Sequence, residues 1–278
     1  MVDRLEEIDP LPGEKQERLP SVPSREEEDR NVEDVLLAGL DPLIEDRLIL
    51  EVIRPIKSGK EAAVYLCRAH PSLGCDLVAA KIYRPHERRS FRRNGIYQQG
   101  RERTARSDAQ EMRTLSQQSK GGRTRRFNAW IAHEMRTLEM LHRAGASVPE
   151  PFVQRGSVIL MEYIGDADHP APMLVNLPIA QDEAAHLHTE VLRNVELFLI
   201  HHRVHADLSA FNILLWQDRL TIIDFPQAVD PRYNDDAFDL LLRDFANVNV
   251  YFADRGVEVA DPISQALTIW RKHVDPNR

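Results

Sequence analysis

The stretch His205-Ala-Asp207-Leu-Ser-Ala-Phe-Asn212-Ile-Leu-Leu, followed by Leu220-Thr-Ile-Ile-Asp224-Phe-Pro-Gln, decides how the rest of this chain is read. It places a carboxylate, an amide and a second carboxylate on two neighbouring loops joined by a short hairpin. The hairpin strands are Ile213 to Trp216 and Leu220 to Ile223, around Gln217-Asp218-Arg219. Phosphoryl transfer from a nucleoside triphosphate uses such a set. One carboxylate orients the attacking hydroxyl, while an amide oxygen and another carboxylate hold Mg²⁺ on the phosphates. An Asp or Asn in a loop is by itself an ordinary turn former, so the spacing of Asp207, Asn212 and Asp224 carries the reading. An acid that ends an apolar strand beside another acid is easiest to explain with a cation between them. His205 is read as structural, bonding backbone near the loop, because this chemistry draws its rate from positioning and charge more than from a strong base.

Upstream, two charged side chains lie in apolar surroundings. Lys81 belongs to the strand Leu77 to Tyr83, on the face shared by Leu77, Ala79 and Tyr83, and a buried ammonium is costly unless an anion meets it. Glu134 falls in a helical stripe with Trp130, Leu138 and Leu141. Each neutralises the other if they meet; the plainer alternative is a snorkelling lysine and an edge glutamate. Their order before the Asp207 loop favours the pair, which in kinases anchors the α- and β-phosphates. Ser58-Gly59-Lys60-Glu61, one strand before Lys81, is a candidate phosphate loop. It lacks the G-x-G-x-x-G and G-x-x-x-x-G-K-[ST] patterns, and Ser58 and Lys60 with backbone N–H groups are expected to hold phosphate oxygens.

The organisation around these motifs is strands first, then mostly helices. Glu51 to Lys57, Ala62 to Arg68 and Leu77 to Tyr83 read as a three-strand meander. Residues 127–143 read as a helix stopped by Gly145, and Val158 to Ile164 as a buried strand ending at Gly165. Gln181 to His202 reads as a long helix that delivers the chain to Asp207. Leu241, Phe245, Val248 and Phe252 make one further stripe, and Asp261-Pro262 opens a last helix with an N-cap acid and an N1 proline. The fold class is α+β in two lobes, with a nucleotide expected in the cleft between them.

The formal charge of −8 argues against a general polyanion binder. Two cysteines, Cys67 and Cys75, are too few for a disulfide framework, and no Cys/His cluster suggests zinc. No run reaches the length of a membrane span and no leader is evident, so no membrane partner is expected and the cytoplasm is the default location. Residues 1–33, rich in Pro, Glu and Arg, read as a mobile tail. Residues 84–126 hold thirteen Arg or Lys against four Asp or Glu, with several glycines. They read as a basic, flexible insert: a solvated loop, or a surface for the phosphates of substrate or RNA.

On these residues the chain resembles the RIO family of atypical protein kinases. The matching strings are Ser58 to Tyr65, Ala80 to Tyr83, Trp130 to Leu138, Val148 to Pro151, Leu160 to Gly165, His205 to Leu214, Ile223 to Val229 and Arg243 to Phe252, so the resemblance runs from about residue 50 to 255. Asp-Phe-Pro-Gln in place of Asp-Phe-Gly and the Ser-Gly-Lys-Glu loop are its specific marks, and the pattern is most similar to the subgroup of the first-named RIO kinase. The resemblance implies a small bilobal protein-kinase-like fold: an N-terminal β-sheet lobe with one main helix, and a reduced, mainly helical C-terminal lobe. The kinase domain would span 34–278, with an N-lobe to about 160, a hinge at 161–165 and a C-lobe from 166. No Ala-Pro-Glu string is present, in keeping with a reduced C-lobe. The resemblance further implies ATP with Mg²⁺ or Mn²⁺, Lys81 and Glu134 as the ion pair, Asp207 as the catalytic acid, and Asn212 and Asp224 as metal ligands. Met161, Glu162, Tyr163 and Ile164 would meet adenine through backbone groups, and Asp224 would take the phosphoryl group as an acyl phosphate. Ala206 stands where the family usually has Gly, and Lys57 where a small residue is common.

Three activities compete for this pattern. The first is phosphorylation of protein serine or threonine, including the chain itself. The second is an ATPase-driven switch acting on a ribosomal ribonucleoprotein partner, whose support is the Arg-rich insert. The third is a small-molecule kinase of the aminoglycoside type, against which the Pro-Gln after Phe225 and the Ser-Gly-Lys-Glu loop speak.

Overall fold

Alternation along residues 49–83 builds the first layer of the structure, a computed structural model that describes residues 36–84 and 120–277. Three strands, β1 (Ile49–Ser58), β2 (Ala62–Ala69) and β3 (Leu77–Tyr83), form the expected antiparallel meander. Two more, β4 (Pro151–Arg155) and β5 (Val158–Glu162), complete a five-stranded sheet in the order β1-β2-β3-β5-β4. β3 is central and covered on both faces. One face sends Val78, Ala80 and Ile82 into a core with Leu36, Leu40 and Leu43, which come from the short helix α1 (Asp41–Glu45) and the segment leading into it. The other face points Lys81 and Tyr83 toward α2 (Lys120–Arg143), whose Ile131 and Met135 pack with Tyr83 and Ile159.

α2 ties the sheet to the rest of the chain, because its second half buries Leu138 and Leu141 in the larger core. That core is made by α3 (Gln181–Ile200), the hairpin β6 (Ile213–Trp216) and β7 (Arg219–Ile222), α4 (Ala237–Ala253) and α5 (Pro262–His273). The hairpin turn holds Gln217 at φ 50° and Asp218 at φ 61°, the left-handed pair that a two-residue loop requires. Asp261 caps α5 through Ser264 N–H at 2.9 Å, as its sequence signature predicts.

Three features differ from the sequence reading. α2 begins at Lys120, seven residues before the expected start; Thr124 and Arg125 are exposed, and straight-chain arginines extend a helix without needing an apolar partner. Residues 120–126 therefore belong to a helix and not to a loop, and residues 85–119 of the expected insert lie outside the described residues, as do 1–35. The segment 36–45 and strand β4 have too short a pattern to be read alone; the first is held by burial against the sheet and the second by its pairing with β5. Among the described residues, no helix is long and apolar enough to cross a membrane.

Candidate active site

Strand alternation puts Lys81 on the α2 side of β3, and the helical stripe brings Glu134 to meet it. Lys81 Nζ lies 2.7 Å from Glu134 Oε1 and 2.6 Å from Asp224 Oδ1, so residues far apart in the chain meet at one ammonium. Burial works to neutralise Lys81, but the charges of Asp224 and Glu134 outweigh it and raise the pKa above the ordinary lysine value. Glu134 is fully buried, and burial pushes its carboxyl up against the pull of Lys81. The Phe225 N–H also favours its carboxylate, although Oε2 makes no hydrogen bond of ordinary geometry. Asp224 has the reverse balance. Burial acts to raise its pKa, yet the Lys81 charge and hydrogen bond hold it below the usual carboxylate range. Its side chain remains 42% exposed, which leaves its second oxygen accessible.

Phe225 fixes the backbone of that acid. It is buried between Phe198 of α3 and His205, and Asp224 itself sits at φ 74°, a left-handed conformation that a non-glycine residue keeps only when its surroundings impose it. α2 grips the following residues. Trp130 Nε1 donates to Pro226 O at 2.9 Å, and His133 Nε2 lies 2.9 Å from Ala228 O. The helix that carries Glu134 is thereby fastened to the segment that carries Asp224.

The Asp207 loop is held from below. His205 Nε2 donates to Ile223 O at 3.1 Å, and Nδ1 accepts from Asp207 N–H at 3.3 Å. Burial pushes this imidazole down to about 4, so it stays neutral and serves the backbone, as the sequence suggests. Asn212 Nδ2 donates to Asp207 O at 2.8 Å, which leaves its Oδ1 as the outward oxygen. Asp207 is open to solvent on one side, and partial desolvation of its carboxyl together with the Asp224 charge raises its pKa.

The anchor of this loop is a residue to which the sequence reading gave no role. Asp244 of α4, buried, accepts from Ala206 N–H at 2.7 Å and Leu208 N–H at 2.9 Å. Arg243 donates to Ala206 O and Asn247 to Leu208 O. Burial pushes Asp244 up to about 7 against the pull of those two N–H groups. The signal was present: Asp244 is a carboxylate beside the apolar stripe of Leu241, Phe245 and Val248, as Glu134 is in its own.

The remaining expected residues are less concentrated. The Gly59 N–H is committed to Ala62 O at 2.9 Å and Ser58 Oγ accepts from Arg84 at 2.8 Å, so the Ser58–Glu61 turn commits these two groups to the protein. It still overhangs the site electrostatically, since Glu61 acts on Asp207 and Lys57 on Asp224. In the expected hinge, Met161 and Glu162 end β5. The Glu162 N–H bonds Glu150 O, and its carboxylate is held by Arg219. Ile164 O is taken by Ala171, whereas the Ile164 N–H has no partner among the described residues. Tyr163 is half-buried beside Arg54.

A family model described as the RIO domain matches residues 63–264. The chain belongs to the RIO family. Among its relatives, a RIO-type serine/threonine-protein kinase Rio1 of Haloferax volcanii is 31% identical over 231 residues, covering 81% of this chain and 71% of the relative. Serine/threonine-protein kinases RIO1 of Caenorhabditis elegans and Homo sapiens are 30% and 33% identical, over 84% and 76% of this chain. The chain spans 42% and 35% of the length of those two relatives. A Rio2 kinase of Chaetomium thermophilum, solved as an ADP/Mg²⁺–phosphoaspartate complex, superposes with a TM-score of 0.60 at 21% identity, covering 86% of this chain and 66% of that one. The RIO assignment and the α+β kinase-like fold thus agree with the expectation from sequence.

Proposed function

We propose that this RIO-family chain transfers the γ-phosphoryl group of ATP to serine or threonine in protein, including its own. One observation carries the reading: Lys81 bridges Glu134 and Asp224 at 2.7 and 2.6 Å, with the Asp207–Asn212 loop tied to the same Asp224 segment through His205. Lys81 holds a positive charge where the α- and β-phosphates would lie, and Glu134 keeps it aimed. Asp207 orients the acceptor hydroxyl and takes its proton as the new P–O bond forms and the β,γ-bridging bond breaks. The Ile164 N–H, without a partner among the described residues, is the donor offered to an adenine ring nitrogen.

The donor set also fits Mg²⁺. Asn212 Oδ1 and the second Asp224 oxygen are hard ligands left over when their partner atoms are bonded to protein. When bound, the ion neutralises charge on the β- and γ-phosphates. Incubation with γ-labelled ATP and Mg²⁺ tests the reading, with protein-bound label and free phosphate measured from one reaction. Label on serine or threonine supports it, and absence of both products refutes it.

A second reading is an ATPase switch on a ribonucleoprotein partner. The observation favouring it is that Asp224 is the most exposed acid on Lys81, in keeping with the phosphoaspartate of the Rio2 complex. Hydroxylamine-labile label with rapid phosphate release identifies this route.

A further inference from the structure

We propose that Arg136, Arg203 and Arg232 form a binding site for a phosphoryl-monoester dianion, separate from the nucleotide cleft, where α2 meets the turn after α3 and the segment after Asp224. Arg203 is the centre. Its side chain is only 14% exposed. Nε donates to Thr137 Oγ1 of α2 at 3.2 Å, and Nη1 donates to His202 O at 2.8 Å. Its one acidic contact, Asp230 Oδ2, is long at 3.4 Å. Asp230 is meanwhile engaged on both oxygens by Arg232, through Nε at 3.0 Å and Nη2 at 2.7 Å, and by the Arg232 backbone N–H at 3.0 Å. Arg203 therefore has the weaker share of a carboxylate that belongs to another arginine.

Arg136 adds a third guanidinium, near enough for its charge to act on Arg203. It precedes Thr137, is exposed, and makes no ion pair among the described residues. The acid one turn on, Glu139, lines a different cavity with His142 and Glu150. Two residues on from Glu134, Arg136 is rotated by about 200° around the helix, so it faces away from Lys81. Three guanidiniums against the single carboxylate of Asp230 leave two positive charges, which a phosphoryl dianion matches in sign and number. Arg203 Nη2 and Arg232 Nη1 have no partner among the described residues and supply donors. The local field is positive: beyond burial, Arg232 and Arg203 hold the neighbouring His202 below its ordinary value in spite of Asp230. A leftover charge on a mostly buried arginine costs stability unless a ligand completes it.

An anion here would clamp the Thr137 turn of α2 to the Asp230 segment. α2 carries Glu134, and the segment continues from Asp224, so occupancy would brace the Lys81 contacts. The site stands whether or not the chain is a kinase. The test is calorimetry on the full chain with phosphoserine and with inorganic phosphate, at ionic strength matched with chloride. It is repeated with a Mg²⁺–nonhydrolysable ATP analogue present, and on Arg136→Gln, which removes no described contact. The expected result is saturable binding that survives the analogue and weakens about tenfold in Arg136→Gln, the worth of one charge-assisted hydrogen bond. Phosphoserine tighter than phosphate points to a phosphorylated side chain as ligand, and equal affinity to free phosphate. Binding no stronger than that of chloride, binding displaced by the analogue, or an unchanged Arg136→Gln overturns the proposal. Analogue binding in the same series reports separately on the nucleotide cleft.

Discussion

Acidification isolates the role of His205. The imidazole is 2% exposed, bonded to Ile223 O and Asp207 N–H, and burial pushes its pKa down to about 4 from 6.5. The unfolded chain takes a proton on this ring below pH 6.5, while the folded chain resists until about 4. The stability it contributes is fully present above the unfolded value and is lost as pH falls through the folded one. A gap of roughly 2.5 units at about 1.4 kcal/mol each, less the half-protonation remaining at pH 4, gives a loss of ~3 kcal/mol between pH 7 and 4. Asp207, whose pKa is raised, changes stability in the opposite sense, so wild type alone gives a mixed slope. His205→Asn removes the titration and leaves Asp207 in place. Urea unfolding of both proteins at pH 7, 6, 5 and 4 should show the wild-type advantage shrinking by ~3 kcal/mol. A difference constant to about 0.5 kcal/mol would refute the neutral, backbone-bonding histidine.

Asp207→Ala and Asp224→Ala should each lower phosphoryl transfer by about 10²–10⁴ while the far-UV spectrum and melting point stay near wild type; wild-type-like turnover in the Asp207 variant contradicts its role. Raising of the Asp207 pKa by burial and by Asp224 predicts that the acid limb of the pH–rate profile lies above that of an ordinary carboxyl, measured as log kcat/KM against pH. Asp244→Asn exchanges an acceptor for a donor facing two backbone N–H groups and should cost about 1–3 kcal/mol, read by urea unfolding, with activity falling in parallel. Ala206 is held at φ 67°, so Ala206→Gly should stabilise the chain by roughly 0.5–1 kcal/mol, the left-handed cost less the glycine entropy; an unchanged midpoint would show that the loop relaxes.

Much of the site was legible because its residues break a local pattern. Lys81 and Glu134 are charges inside apolar periodicities, and such exceptions need a partner; the structure supplies each with the other. Asp244 breaks its stripe in the same manner and was open to the same argument. Trp130 and His133 carried no such signal. They read as ordinary helix residues, and their bonds to Pro226 O and Ala228 O depend on where a distant loop passes. The Ser58–Glu61 turn shows what composition leaves out. Its composition suits an open phosphate cradle, yet hairpin closure between β1 and β2 uses the Gly59 N–H, because a tight turn satisfies its own backbone first.

Sequence by itself determined the elements and their faces: alternation set which side of β3 carries Lys81, and the 3.6-residue repeat set which side of α2 carries Glu134. The family and the α+β class followed from motifs at fixed spacing. Only the tertiary structure decided that Asp224 shares the ammonium of Lys81, that Asp244 holds the Asp207 loop, and that Arg203 reaches Asp230. Those contacts join residues 27 to 143 positions apart. Periodicity reports the direction a side chain faces but not what packs opposite it, and at these positions the partner sets the charge.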